Sequence, residues 1–300
     1  MLSICIPVYN INIKNLYDAL KRQIEVINDP IEIIIIDDCS LDHFKQLNCA
    51  TCKESIYIQL LQNVGRARIR NLFLEHANYK NLLFLDCDGF IIDNNFIENY
   101  LIVIKKVPFD VICGGRTYPE QKPNRKYLLN WEHGIKKESK PYEERRKNAY
   151  QSFMTNNFII KKSVFETIRF DEKITTYGHE DTLFGFLLKQ KNKTIIHINN
   201  PVLNGDNEAN KIFLQKTEDS VQNLIYILNN KEYSNSFIDK VKLLKIYSKL
   251  QKNRFITFYN IFFFVSKPLM RFLLSEGIYG SLIIFDLYKL GVLIKLKNKV

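Results

Sequence analysis

Apolar and polar positions alternate in blocks along the first two thirds of the chain. Ile4, Cys5, Ile6 and Val8 form a short apolar run ending at Tyr9-Asn10, with Pro7 near its end, where a strand tolerates a missing N–H. Leu16, Leu20 and Ile24 then fall on one helical stripe. Ile31-Glu32-Ile33-Ile34-Ile35-Ile36 is a β-branched run suited to a strand buried on both faces. Strand, helix and strand in that order predict a parallel βαβ unit with a right-handed crossover. The rhythm continues with strands over residues 56–61, 81–85 and 110–115. A helix carrying Ile69, Leu72, Phe73 and Ala77 and another over 93–106 separate them.

Between residues 116 and 150 the pattern dissolves into Lys, Arg, Glu, Pro and Tyr around Trp131. This is too long for a passive connection and predicts a lid, a helix–loop excursion or a mobile surface stretch. Order resumes with a strand over 155–160, a short helix over 162–168, a helix entered through Gly178-His179-Glu180-Asp181, and a strand over 194–198. After residue 205 only helices are predicted, over 213–228 and 240–250. Two apolar stretches follow, 255–265, which Ser266-Lys267-Pro268 interrupts, and 278–296, which contains Asp286, Lys289 and Lys295. Neither is expected to span a bilayer. Aromatic and aliphatic residues mixed with lysines suit an interfacial helix, and equally suit helices closing over a core. The expected organisation is an α/β domain over 1–205 and a helical extension over 206–300.

Two of the predicted strands stop at carboxylates. Asp37-Asp38 ends the second, and Asp86-Cys87-Asp88-Gly89 ends the fourth. Positions two apart in a strand share a face, and the carboxyl edge of a parallel sheet is where ligands bind. Two hard oxygen ligands there suit a divalent cation carrying phosphates; a polar Asp-Gly turn has the same pattern. Arg66, Arg68 and Arg70 open a helix, against its dipole, which suits something anionic nearby and equally suits solvated surface arginines. Glu180 and Asp181 in a first turn suit capping as well as chemistry. His179 precedes them, yet adjacent residues on a helix point apart, so His-Glu-Asp makes a poor metal cluster.

Composition adds limits. With 46% hydrophobic and 25% charged residues the chain is an ordinary globular protein. Its six cysteines are scattered; Cys49 and Cys52 form a C-x-x-C without a second pair, so free thiols in a reducing cytoplasm are expected. No basic n-region precedes the first apolar run, so no signal peptide is expected. The formal net charge is +11, and residues 205–300 carry 15 Lys/Arg against 8 Asp/Glu. With no zinc-finger, helix-turn-helix or RNA-binding signature, an anionic substrate or an anionic membrane surface is the expected partner rather than nucleic acid. Nothing in the pattern speaks to oligomeric state.

Ile6-Pro7-Val8-Tyr9-Asn10, Ile36-Asp37-Asp38-Cys39-Ser40, Asn63-Val64-Gly65 with Arg70-Asn71, Asp86-Cys87-Asp88 and Gly178-His179-Glu180-Asp181 resemble, in order and spacing, the family 2 glycosyltransferases. The resemblance covers roughly residues 1–205. It implies a GT-A fold, a mostly parallel nucleotide-binding sheet flanked by helices. It implies inversion at the anomeric carbon, a nucleotide-sugar donor, most often UDP-linked, and Mg²⁺ or Mn²⁺ as cofactor. The acceptor would be a glycan or a lipid-linked carrier, in cell-surface polysaccharide synthesis at the inner face of the membrane. Carried over by position, Pro7 and Tyr9 would line the base and ribose site, and Asp38, with Asp37 beside it, would accept from the uracil ring. Arg70 would lie near the nucleotide, Asp86 by the ribose or metal, and Asp88 would be the main metal ligand. Asp181 would be the catalytic base, with Glu180 its neighbour and alternate. Members often carry a histidine after the Asn-Pro that follows the last strand. Here that loop reads Asn200-Pro201-Val202-Leu203-Asn204-Gly205-Asp206, so Asn204 or Asp206 would have to substitute. A non-catalytic paralogue of the same fold is the alternative, against which the retention of both acidic motifs argues. A dinucleotide-dependent oxidoreductase is disfavoured because Val8-Tyr9-Asn10-Ile11-Asn12 lacks the glycine fingerprint.

Overall fold

The computed structural model describes residues 1–205, 208–230, 232–233, 237–278 and 282–298. It divides into two compact units. The first comprises Met1–Pro119, Glu138–Thr175 and Glu180–Asp206, and the second Glu120–Lys137, Thr176–His179 and Asn207–Val300.

The first unit is built on a seven-stranded sheet. Its strands are β1 (Leu2–Val8), β2 (Ile31–Asp37), β3 (Ile56–Gln59), β4 (Asn81–Leu85), β6 (Val111–Cys113), β8 (Asn157–Lys161) and β9 (Ile195–His197), in the order β3-β2-β1-β4-β8-β6-β9. Only β8 runs antiparallel to its neighbours. The continuous β-branched run of β2 is buried on both faces, as a parallel strand between helical layers requires. One layer of core gathers Leu16, Tyr17, Leu20, Phe96, Ile97 and Tyr100 from α1 (Lys14–Ile24) and α4 (Phe96–Lys106). The opposite layer is aromatic. Phe84 stacks on Phe158 with ring centroids 5.0 Å apart, and Phe73 from α3 (Arg66–His76) and Phe165 from α7 (Lys162–Thr167) meet Phe84 edge-on. Pro7 lies beyond the point where the β1–β4 ladder ends at Cys5 and Phe84, a position that tolerates a missing N–H.

A second sheet of three very short strands joins β5 (Gly89–Ile91), β10 (Val202–Asn204) and β7 (Arg116–Thr117), in the order β5-β10-β7. The irregular 116–150 stretch holds β7, α5 (Leu128–His133) and α6 (Tyr142–Lys147), among shorter turns. α2 (Asp42–Thr51) and α8 (Glu180–Gln190) complete the helices of the first unit.

In the second unit α9 (Asn210–Asn229), α10 (Lys242–Lys252), α11 (Ile256–Ser275) and α12 (Leu282–Lys297) pack together, with α5 against α9. Phe213 of α9 stacks on Phe285 of α12 at 5.4 Å. Gly291 lets α12 approach α11 so closely that a methyl group there would collide with the Phe263 ring. The expected break at Pro268 does not occur, since α11 runs through it. A proline removes one backbone bond, but Phe263, Met270 and Leu274 stay buried on one stripe across it, so packing on either side holds the helix together. The predicted apolar stretch 278–296 is described at Ile278 and from Leu282 onward, since residues 279–281 lie outside the described residues. Among the described residues no helix is long and apolar enough to cross a membrane.

Candidate functional site

The chain moves outward from β1 through β2 to β3, then returns to β4 on the other side of β1. That reversal makes the carboxyl ends of β1 and β4 a topological switch point, the ordinary location of a ligand crevice in an open α/β sheet. Tyr9, Asp37, Asp38, Asp86 and Asp88 all follow or end strands at this edge.

The loops after β1 and β2 are clipped together. The Asp38 amide donates to the Val8 carbonyl (2.8 Å), the Asn10 amide to the Ser40 hydroxyl (2.8 Å), and the Leu41 amide to the Asn10 side chain (2.8 Å). Asp37 is fully buried and accepts from the Ser40 amide at 2.7 Å and the Tyr57 hydroxyl at 2.9 Å. Asp38 accepts the amides of Val64 (2.6 Å) and Gly65 (3.0 Å) on separate oxygens, and so organises the entrance to α3. Burial pushes its carboxyl up, and the two amides pull it back only in part. Gly65 enters α3 at a φ of +84°, in the region that favours glycine, and a side chain there would press on the Thr175 carbonyl. Tyr9 is half exposed and Pro7 partly buried.

Among the arginines of α3, Arg70 meets Asp86, while the half-exposed Arg68 approaches Glu172 at 3.8 Å. Arg70 is buried and its Nη2 donates to Asp86 Oδ1 at 2.6 Å. Arg116 approaches the other oxygen at 3.9 Å. Burial works to raise the Asp86 pKa, but Arg70, Arg66 and Arg116 overcome it and hold the carboxyl below its usual range. Asp88 sits at the other end of the turn, where its carbonyl accepts from the Gly205 amide at 3.3 Å. Through β10 pairing, Asn204 lies directly across from Gly89, so the loop after Pro201 does return to the Asp-Cys-Asp turn. Asp206, the other candidate substitute for a histidine, lies outside the described residues.

Arg116 was not legible as a site residue. It sits in the patternless stretch, yet its Nη1 donates to Glu138 Oε2 at 3.0 Å, while the Tyr118 hydroxyl donates to the same oxygen. Burial acts to lower its pKa, but Tyr118, Glu138, Asp86 and Asp88 raise it, so the guanidinium stays charged. Its position depends on a lattice of asparagines. Asn157 donates to the carbonyls of Gly115 (3.0 Å) and Asn200 (2.8 Å) and accepts the Tyr100 hydroxyl at 2.6 Å. Arg145 closes the lattice from α6. It donates to the carbonyls of Cys113, Gly114, Ile198 and Lys140 and, at 2.9 Å, to His197 Nδ1. His197 Nε2 therefore carries the proton and donates to the Ala149 carbonyl; burial first, then Arg145, lowers its pKa to about 4 despite that bond. Replacing Arg145 by methionine leaves several buried carbonyls unpaired and is expected to cost about 3 kcal/mol or more. Thermal melting should show a clear drop in Tm, with ligand affinity falling as the Gly115–Arg116 turn loses its anchor.

Glu180 and Asp181 open α8. Both are largely enclosed, and Asp181 Oδ1 accepts the Thr182 amide (2.6 Å) and hydroxyl (3.1 Å). Burial and then the Glu180 charge, with a smaller push from Glu138, raise Asp181 to about 7 against the pull of Thr182. Glu138 thus joins the two halves of the site: it pairs with Arg116 and its charge reaches Asp181. His179 belongs to the second unit, where burial and Lys289 lower it to about 4. Among the described residues no three His, Cys, Asp or Glu side chains are grouped to hold a metal.

Among the described residues several buried polar atoms of the first unit have no hydrogen-bond partner: Nε of Arg70 and of Arg116, both amide atoms of Asn156, and Oε2 of Glu180. Asn156 adjoins the same turn, since its carbonyl accepts the Asp86 amide at 3.1 Å. Buried polar groups are nearly always paired, so these atoms are open to ordered water or to a polar ligand at the sheet edge.

A family model described as glycosyl transferase family 2 matches residues 3–169, more than half of the sequence. The chain belongs to that family. Glu180 and Asp181 lie beyond the matched stretch of this family 2 chain. An uncharacterized glycosyltransferase of Rickettsia conorii is 34% identical over 113 residues, which is 33% of this chain and 18% of that protein. A second, from Rickettsia felis, is 33% identical over 112 residues, again 18% of its length. The match thus spans less than a fifth of these relatives. Among solved structures, S. aureus TarS 1–349 in complex with UDP superposes with a TM-score of 0.53 at 17% identity, covering 100% of this chain and 92% of that one. The mannosyltransferase PcManGT from Pyrobaculum calidifontis, in complex with GDP-Man and Mn²⁺, gives 0.63 at 11% identity, covering 99% and 86%. The likeness is one of fold, the GT-A type.

Proposed function

We propose that this family 2 chain is an inverting glycosyltransferase that moves a sugar from a nucleotide-sugar donor, UDP-linked, to a hydroxyl of a glycan or lipid-linked acceptor in cell-surface polysaccharide synthesis. The observation that carries this reading is the convergence, at the β1–β4 switch point, of Asp88, the arginine-bound Asp86 and the unpaired buried atoms of Arg70, Arg116 and Asn156. Tyr9, half exposed at that edge, gives a base or ribose an aromatic face, and Pro7 is the other wall. Asp38 uses one lone pair on each oxygen for Val64 and Gly65 and keeps the others for a ring N–H of the base. Asp37, wholly engaged inside the protein, supports it.

A divalent cation fits this site in one way. Asp86 is committed to arginine, which leaves Asp88 as the carboxylate that would hold Mg²⁺ or Mn²⁺, with the remaining ligands from the donor's phosphates. Such an ion, when bound, neutralises charge growing on the departing diphosphate. Arg116 lies beside Asp86 and Asp88 and adds a fixed positive charge to the same region. Asp181 takes the proton from the acceptor hydroxyl as its oxygen bonds to the anomeric carbon, and the bond from that carbon to the diphosphate breaks. Burial, and then the Glu180 charge, keep the Asp181 pKa high enough for it to act as a base near neutral pH.

Calorimetric titration of UDP into the full chain tests the donor half of this reading. Binding is expected to require Mn²⁺ or Mg²⁺, to be abolished by EDTA, and to fall in Asp88→Asn to the level that wild type shows with EDTA. UDP binding indifferent to both metal and Asp88 would remove Asp88 from the ligand set. UDP binding without donor turnover across a panel of nucleotide sugars would favour a non-catalytic paralogue.

A further inference from the structure

The outer side of α11 is apolar along its whole length. Phe258, Ile261, Phe262, Val265, Leu269 and Phe272 recur at intervals of three and four residues and are all exposed, Phe258 at 75% and Val265 at 73%. The inner side, Phe263, Met270 and Leu274, is buried in the second unit. A helix that is apolar on both sides normally has something covering each of them, and an exposed apolar stripe of this extent marks an interaction surface.

The segment just before it indicates what covers the outer side. From Lys240 to Phe255 the chain carries Lys240, Lys242, Lys245, Lys249, Lys252 and Arg254 and no acidic residue. Within α10, Lys242, Lys245, Lys249 and Lys252 are spaced by three, four and three, which places all four on one face. Leu244, on the other side, is buried. The cations nearer the apolar stripe are already spent: Lys267 and Arg271 pair with Glu218 at 3.6 and 3.2 Å. An apolar stripe alone would suit a second copy of this chain. An apolar stripe led by an unbroken run of cations suits a surface with an anionic skin and an apolar interior.

We propose that α10 and α11 together form a peripheral membrane-docking surface for a bilayer rich in anionic phospholipid. The lysine face of α10 meets the headgroups, and Phe258, Phe262, Val265, Leu269 and Phe272 enter the headgroup–acyl boundary. The inference is independent of which sugar is transferred and of any residue of the candidate site.

Flotation of the full chain with liposomes tests it. The chain is expected to float with phosphatidylglycerol-containing vesicles at low salt and to stay at the bottom with pure phosphatidylcholine. Phe258→Glu combined with Val265→Glu lies on the exposed side, leaves the fold intact by circular dichroism, and is expected to reduce flotation to background. Lys245→Gln with Lys249→Gln is expected to weaken binding by about fivefold per lysine and to flatten its salt dependence. Equal flotation on neutral and anionic vesicles, or flotation unaffected by the two glutamates, would overturn the proposal. So would sedimentation showing a dimer that the two glutamates dissociate in a protein that binds no vesicles, because the stripe would then be an interface between copies.

Discussion

Asp181→Asn is expected to have opposite effects on turnover and on stability. Transfer should fall by about 10²–10⁴, the usual worth of a positioned general base, while the protein melts higher than wild type above pH 7. Both follow from the same environment. Burial and the neighbouring Glu180 charge hold the Asp181 pKa at about 7, against an ordinary value of 3.8. The folded state therefore binds a proton that the unfolded state has already released between those two values. Stability is greatest below the lower value and falls as pH rises toward the upper one, by about 1.4 kcal/mol per unit in that window. Asparagine keeps the acceptor for the Thr182 amide and cannot ionise, so this loss disappears. In the wild type the rate should rise as Asp181 ionises, through an apparent pKa of about 7, and the asparagine variant should lack that limb. Melting curves at pH 5 and 8, with kcat/KM against pH, check both halves.

Arg70→Met is expected to be the most damaging single change in the donor half. It leaves Asp86 largely enclosed without the guanidinium that sits 2.6 Å from its Oδ1. Removing one partner of a buried pair typically costs about 3–5 kcal/mol, because the other charge is left uncompensated. Adding Asp86→Asn to Arg70→Met should recover a large part of that loss, and a double-mutant cycle by chemical denaturation measures the coupling. Arg70→Lys keeps the charge but not the planar fork, and should fall between the two.

Where the sequence carried periodicity, it was readable. The β-branched run of β2 and the apolar runs of β1 and β4 announce buried parallel strands, and the acids that stop β2 and β4 mark the sheet edge where the switch point lies. Of the arginines that open α3, Arg70 is buried on an anion that is part of the protein, Asp86, while Arg68 is a half-exposed surface arginine. The small sheet was not readable, because strands of two or three residues are too short to show a period. Arg116, Glu138 and Arg145 were hidden for a related reason. Their stretch has no repeating pattern, and their roles come from tertiary hydrogen bonds to carbonyls and carboxylates distant in sequence. Pro268 misled because its local cost is real, and only the buried stripe of Phe263, Met270 and Leu274 shows why the helix continues.

The most direct test is turnover of a nucleotide-sugar panel by the full chain and by Asp181→Asn, with UDP affinity measured on the same preparations. At least one donor is expected to be consumed by the wild type, while the variant binds UDP with unchanged affinity and turns that donor over at least 100-fold more slowly. Equal turnover by both proteins, or UDP binding with no donor consumed, would contradict the assignment of this site.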